Sequence, residues 1–257
     1  MILLDRLSVT YKGEVIGLHP TSLNFLKGQF TVILGASGSG KSTLLRCLNF
    51  LNRPTAGTVI VEGLGDLRDP SVLHRHRQRT GAIFQQHQLI GRQTALQNVL
   101  VGRLGYHSAL RSLFPLPKGD FYIALECLER VGLLEKALTR VDALSGGQQQ
   151  RVGIARALAQ QPQIVLADEP VASLDPASAH KILSFLRQIC REDGITAIVS
   201  LHQVDLAQTY SDRIIGLSQG TVILDGSPTE IDSNKLNGLY GDNNAQNYDG
   251  FTEIAPL

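Results

Sequence analysis

An α/β fold built around a largely parallel sheet is the architecture this sequence predicts. Three observations predict it. Short apolar runs recur at Phe30–Leu34 and at residues 82–84, 164–167 and 195–199, the pattern of strands buried on both faces. Most of these runs lead into stretches with helical spacing, and strands alternating with helices argue for this class. A glycine-rich turn sits between the first run and the helical stretch that follows it.

Taken in chain order, residues 3–11, 21–25 and 58–62 read as shorter, alternating strands, an antiparallel sheet beside the core. The run Phe30–Leu34 then enters Gly35-Ala36-Ser37-Gly38-Ser39-Gly40-Lys41-Ser42, a full match to Gly-x-x-x-x-Gly-Lys-Ser/Thr in the strand-to-helix context that motif needs. Glycines let the backbone wrap so that successive N–H groups face phosphate oxygens, and the following helix adds its positive end. Lys41 can reach β- and γ-phosphates, Ser42 can ligate Mg²⁺, and Thr43 can add a donor near the α-phosphate. A stray lysine after a flexible loop is the bland alternative, and the strand, pattern and helix in order argue against it. The loop alone identifies a nucleotide-binding P-loop protein and no more.

The basic run at residues 74–79 reads as a solvated helix face, and His74 and His76 lack convincing metal-ligand spacing. Residues 89–141 carry no strong strand run. Residues 121–131 are helical in pattern after a Pro- and Gly-bearing link at 115–119, so this stretch reads as a helical insertion. Residues 164–168 form an apolar strand ending in Asp168, followed at once by Glu169. Beside a bound nucleotide, such an aspartate orients the metal's water shell, and the glutamate can accept a proton from water. Asp175-Pro176 caps a helix whose residues Ile182, Leu183, Phe185, Leu186 and Ile189 lie on one stripe. Residues 214–217 and 221–224 flank Gln219-Gly220 as a hairpin, and the stretch from 241 is a polar, Asn-rich tail.

Leu144-Ser145-Gly146-Gly147-Gln148 precedes a helical run to Ala159. A serine and two glycines before a helix make a second anion-binding helix start. Two such sites with one nucleotide per chain invite a dimer in which each copy closes on the other's ATP. Here the sequence resembles the ABC transporter ATPase family over residues 2–240, with residues 241–257 as a tail. The resemblance implies a RecA-like P-loop NTPase core, an antiparallel β subdomain and a helical subdomain inserted at about 86–160. It matches Tyr11 to the aromatic that stacks on adenine, and Gln85 to the glutamine that joins metal and attacking water to the membrane subunit. It matches Asp175, in Ser173-Leu174-Asp175, to the loop that meets the opposite P-loop, and His202 to the histidine on the γ-phosphate.

The implied site takes Lys41, Ser42, Gln85, Asp168, Glu169 and His202 from one chain, and Ser145, Gly146, Gly147 and Gln148 from another. Its ligands are ATP and Mg²⁺, held through Ser42, Gln85 and Asp168, with Glu169 as general base. The implied partners are a second copy, two integral-membrane permease subunits and, through them, a solute receptor, at the cytoplasmic face of the bacterial inner membrane. Residues 84–92, Asn98-Val99-Leu100-Val101-Gly102-Arg103-Leu104-Gly105, residues 168–176 and Ser200-Leu201-His202-Gln203-Val204-Asp205 resemble the phosphonate importer group. Phosphite importers are very similar in these stretches, so phosphonates are the expected solute, with phosphite or another small oxyanion as the alternative. A non-transport ABC ATPase is a further rival, but such proteins resemble fused ATPase halves or halves split by a long coiled coil.

The bulk numbers agree. Apolar residues are 43% and charged residues 18% of the 257, as in ordinary globular domains. A net charge of +1 gives no strong field for nucleic acid or anionic lipid. Three cysteines, widely spaced, fit neither a disulfide framework nor a metal cluster and suit a reducing cytosol. No apolar run nears the roughly 18 residues of a membrane span, and no secretory signal is expected from the first residues.

Overall fold

The computed structural model describes residues 1–84, 88–108, 115–231 and 239. The chain runs β1 (Ile2–Thr10), β2 (Ile16–Phe25), β3 (Phe30–Leu34), α1 (Lys41–Leu48), β4 (Ala56–Val61), β5 (Gly65–Asp66), α2 (Pro70–Gln78) and β6 (Thr80–Ile83). It continues through α3 (Ala95–Leu100), a 3₁₀ turn (Val101–Tyr106), α4 (Lys118–Arg130), α5 (Gly146–Ala159), β7 (Ile164–Asp168), α6 (Pro176–Glu192), β8 (Thr196–Leu201), α7 (Val204–Tyr210), β9 (Arg213–Ser218) and β10 (Thr221–Gly226). The α/β class is as the sequence predicts.

Two sheets form. The first is antiparallel, in the order β2-β1-β4-β5, and the second has six strands in the order β10-β9-β3-β8-β7-β6. In the second sheet every described pairing is parallel except β10 with β9. All five residues of β3 are buried, because this strand is central and covered on both faces. One core cluster joins α1 to the facing sides of both sheets, through Leu44, Leu45 and Leu48 with Leu4, Leu7 and Ile33. The other fills the opposite face and runs on into α3, α4 and α5. Between residues 88 and 160 the described regular elements are helices and 3₁₀ turns, joined by an isolated bridge between Thr94 and Arg140.

Several sequence expectations shift. The strand placed at 82–84 begins at Thr80, and the strand placed at 21–25 begins at Ile16. Lys118 and Gly119, expected in a link, open α4. The basic run at 74–79 is not simply a solvated face. His76 is fully buried, and its Nε2 donates to the Leu48 carbonyl at 2.8 Å. Arg77 donates to the carbonyls of Asn49 at 3.1 Å and Phe50 at 3.0 Å. The reason is that α1 ends at Leu48, where helix carbonyls lack intrahelical partners, and basic groups on α2 meet them. The tail from residue 241 lies outside the described residues.

Candidate active site

β3, β7 and β8 run side by side and in parallel, so their carboxyl ends meet at one edge of the sheet. Open α/β sheets place ligands at such an edge. The glycine-rich loop leaves β3 here and feeds α1. Gly40, at the helix start, has φ +103°, and a Cβ there would lie 2.7 Å from the Gly17 carbonyl oxygen. Only glycine fits that turn.

Lys41 is buried and its Nζ donates to the loop carbonyls of Gly35 at 2.8 Å and Ala36 at 3.0 Å. Glu169 Oε1 lies 3.7 Å from the same nitrogen. A buried ammonium needs such acceptors, since unpaired burial of charge is costly. Burial pushes the Lys41 amine below its usual pKa, against the upward pull of Glu169 and Asp168. His202 approaches the group from the end of β8. Its Nε2 pairs with Glu169 Oε1, and its Nδ1 lies 3.3 Å from Gly35 O.

Asp168 ends β7 opposite Ser200 of β8. Its Oδ1 accepts from Ser42 Oγ at 2.8 Å and from Ser200 Oγ at 2.9 Å. Ser200 Oγ in turn accepts from the Glu169 backbone N–H at 2.9 Å. That bond holds Glu169 at φ +48°, a left-handed conformation costing about 1–2 kcal/mol in a non-glycine residue. Strain of this kind persists where surrounding structure over-determines it. Here it turns the carboxylate toward Lys41 and His202.

Tyr11 stands at the rim. Its hydroxyl lies 2.9 Å from Thr43 Oγ1 and accepts from Asn52 Nδ2 at 2.8 Å. Its ring covers Gly17, where a Cβ would be 2.4 Å from Cε2. One side of the ring is packed and the residue stays exposed, as a stacking platform requires.

Ser145, Gly146, Gly147, Gln148 and Asp175 border a different space, a groove of about 860 Å³ that Arg151 and Lys181 also line. Ser145 caps α5 through a reciprocal box, with Ser145 Oγ accepting from Gln148 N at 3.4 Å and Gln148 Oε1 accepting from Ser145 N at 2.9 Å. Asp175 caps α6 by accepting from Ser178 N at 2.9 Å. No described contact joins these residues to the Lys41 cluster. Gln85 lies outside the described residues.

Sequence reasoning missed Ser200, Asn52 and Arg46, whose Nη2 lies 4.0 Å from Asp168 Oδ2. Ser200 carries the one available signal, a polar residue late in an apolar strand. Its place opposite Asp168 is a matter of strand register and needs the fold.

A family model for the ABC transporter matches residues 18–172. This chain is an ABC transporter ATP-binding domain. It is 72% identical over 247 residues to a phosphonates import ATP-binding protein of Nostoc sp., covering 96% of this chain and 94% of that protein. It is 61% identical over 237 residues to a phosphite import ATP-binding protein of Stutzerimonas stutzeri, covering 92% and 86%. In three dimensions it matches the ATP-binding cassette MJ0796, solved as a dimer in a post-hydrolysis state with ADP and Pi. That match has 38% identity and TM-score 0.77, and it covers 89% of this chain and 99% of that one.

Proposed function

We propose that this ATP-binding domain is the ATP-hydrolysing subunit of an importer for phosphonates, working as a pair of copies closed on two Mg-ATP molecules. The observation that carries the chemistry is the convergence of Lys41, Ser42, Asp168, Glu169 and His202 at one sheet edge. The solute is supported by the 72% identity to the Nostoc protein, whose name specifies phosphonates.

The adenine stacks on the open side of Tyr11, and Thr43 lies near the α-phosphate. Residues 35–40 wrap the β- and γ-phosphates with backbone N–H groups, and Lys41 turns its charge onto them. Ser42 and Asp168 already form an oxygen pair suited to a hard cation. With Gln85 they would hold Mg²⁺, which when bound neutralises phosphate charge. Glu169 accepts the proton of the attacking water. His202 orients Glu169 and contacts the γ-phosphate.

The groove beside Ser145 needs a second copy to acquire a nucleotide. Gly146 and Gly147 sit in open space, with nothing within 4 Å of a built Cβ at either position. Glycine lowers helix stability by about 1 kcal/mol relative to Ala, so two of them in the first turn of α5 call for a close approach from outside the chain. A partner's γ-phosphate is that approach, with Gln148 and Asp175 beside it. Closing the pair excludes water from the reaction and moves two permease subunits, which receive solute from a receptor.

On this reading residues 2–240 are the ATP-binding domain, 86–160 its helical insertion and 241–257 a tail. The subunit sits peripherally at the cytoplasmic face of the inner membrane and binds no nucleic acid. No described helix is long and apolar enough to cross a membrane, so attachment runs through the permease. The Stutzerimonas relative supports phosphite as the second reading of the solute.

The test is ATP turnover by the permease complex in lipid, with the receptor carrying a phosphonate, phosphite, phosphate or nothing. Stimulation by the phosphonate-loaded receptor is expected. Stimulation by phosphite alone moves the assignment to the second reading, and indifference to every receptor removes the importer assignment.

A further inference from the structure

Helix α5 joins two places. Its first turn carries Ser145, Gly146, Gly147 and Gln148. Its last turn meets the segment Val101–Tyr106, part of the stretch that gives the sequence its importer-group resemblance. The contact there is unusually close. A Cβ on Gly102 would lie 2.3 Å from the Arg156 carbonyl oxygen, and one on Gly81 of β6 would lie 2.9 Å from that of Ala157. Backbone therefore rests on backbone at two points along the last turn.

Arg103 completes the grip. It is 7% exposed and its Nη1 donates to the Ala159 carbonyl at 2.8 Å and to Gln161 Oε1 at 3.1 Å. A cation at these end carbonyls also complements the helix dipole. Tyr106 stacks on the guanidinium at 4.2 Å from the ring centroid, and its hydroxyl donates to Gln160 O at 2.6 Å. The countercharge is Asp120, 5% exposed in the first turn of α4. Its Oδ1 accepts from Arg103 Nε at 2.8 Å and its Oδ2 lies 2.7 Å from His107 Nε2. Breaking such a buried pair by removing one partner is costly, so the arrangement is stiff.

We propose that Arg103 is a positioning residue for ATP hydrolysis: by holding the C-terminal end of α5 it fixes where the Ser145–Gln148 turn stands at the other end. A 14-residue helix is a rod of about 21 Å. A few degrees of slack at one end move the other by about 1–2 Å, and a misplacement of about 1 Å can cost about 10²-fold in rate. The proposal rests on the reading of that turn as the contact to a partner's nucleotide.

The experiment compares R103Q, R103K and S145A in the permease complex. It measures kcat and KM for ATP, affinity for a fluorescent ATP analogue, and the melting midpoint. R103Q is expected to lower kcat about tenfold or more, with analogue affinity within twofold of the parent chain. R103K, which keeps the charge, recovers part of the loss. A kcat within twofold in R103Q overturns the proposal, as does a loss of analogue affinity that matches the loss of kcat. If R103Q does not fold, R103K is judged by the same criteria. Failure of both to fold assigns the cluster to stability alone and also overturns it. Intact turnover in S145A removes the reading of the turn itself, whereas a loss in S145A with none in R103Q removes only the role of Arg103.

Discussion

Two glycine-rich turns precede helices in this molecule, and their glycines answer to different neighbours. Gly40, before α1, has φ +103° and no room for a Cβ, which would meet the Gly17 carbonyl oxygen at 2.7 Å. Gly146 and Gly147, at the start of α5, do not adopt a positive φ and have open space around them. The first turn is glycine because its own fold demands it. The second meets no such demand from the described residues, and the proposed contact with a second copy would supply one. The side chains divide the same way. Lys41, Glu169 and His202 interlock, and Asp168 joins them through Ser200, while among the described residues the Ser145 and Gln148 side chains bond to each other's backbone N–H and border an open groove. On the proposed reading, one turn belongs to the half-site that holds a nucleotide, and the other to a half-site that closes on the nucleotide of a second copy.

That contrast can be broken or sharpened by measurement. The largest effect is expected for Glu169→Gln. Loss of a general base costs about 10²–10⁴-fold, so turnover should collapse while ATP binding persists and a closed dimer accumulates on size-exclusion. Near-parental phosphate release would remove Glu169 from that role.

Gly147→Ala comes next and is the sharpest test. The isolated chain should melt slightly higher, by up to about 1 kcal/mol of helix propensity, while turnover falls roughly tenfold to 10²-fold through a displaced partner phosphate. Gly40→Ala should instead destabilise the chain by about 2 kcal/mol from the left-handed backbone and the overlap with Gly17. If both alanines behave alike in thermal melts, the distinction between the two turns fails.

Tyr11→Ala should raise KM for ATP about threefold to tenfold, the range of an aromatic stack, and leave kcat largely intact. A fall in kcat at unchanged KM would place Tyr11 elsewhere in the cycle.

The smallest effect concerns pH. Burial lowers the pKa of His76, with the Leu48 carbonyl pulling the other way. The folded chain thus keeps His76 neutral where the unfolded chain, titrating near about 6.5, begins to take up a proton. The sign follows from linkage: stability is full above about 6.5 and declines as pH falls below it. His76→Gln should flatten that slope in denaturant melts between pH 7 and pH 5.

Much of the candidate site was legible in the residues, because its groups lie in contiguous motifs tied to strand ends. Residues 35–42 follow an apolar strand, Asp168 and Glu169 end another, and each arrangement has one simple chemical use. The family's order of motifs added Tyr11, Gln85, Asp175 and His202, and Gln85 is the one of these that lies outside the described residues. Ser200 and Asn52 were not legible, because each acts through a neighbour distant in sequence. The basic run at 74–79 was legible only in part for the same reason: residues 74, 75, 77 and 79 are exposed as a solvated face, whereas His76 is buried. Its charge pattern resembles a solvated face, but the free carbonyls that His76 and Arg77 meet belong to the end of α1.

By itself the sequence determined the class of fold, the phosphate loop and the pairing of Asp168 with Glu169, since apolar periodicity and short motifs act over a few residues. Only the tertiary structure decided which strands lie side by side. That brought Ser200 between Asp168 and the Glu169 backbone, and turned Lys41 and His202 onto one carboxylate. It likewise buried Arg103 against the end of α5. Strand order and helix docking depend on burying apolar faces across the whole chain, a sum over contacts that no local pattern contains.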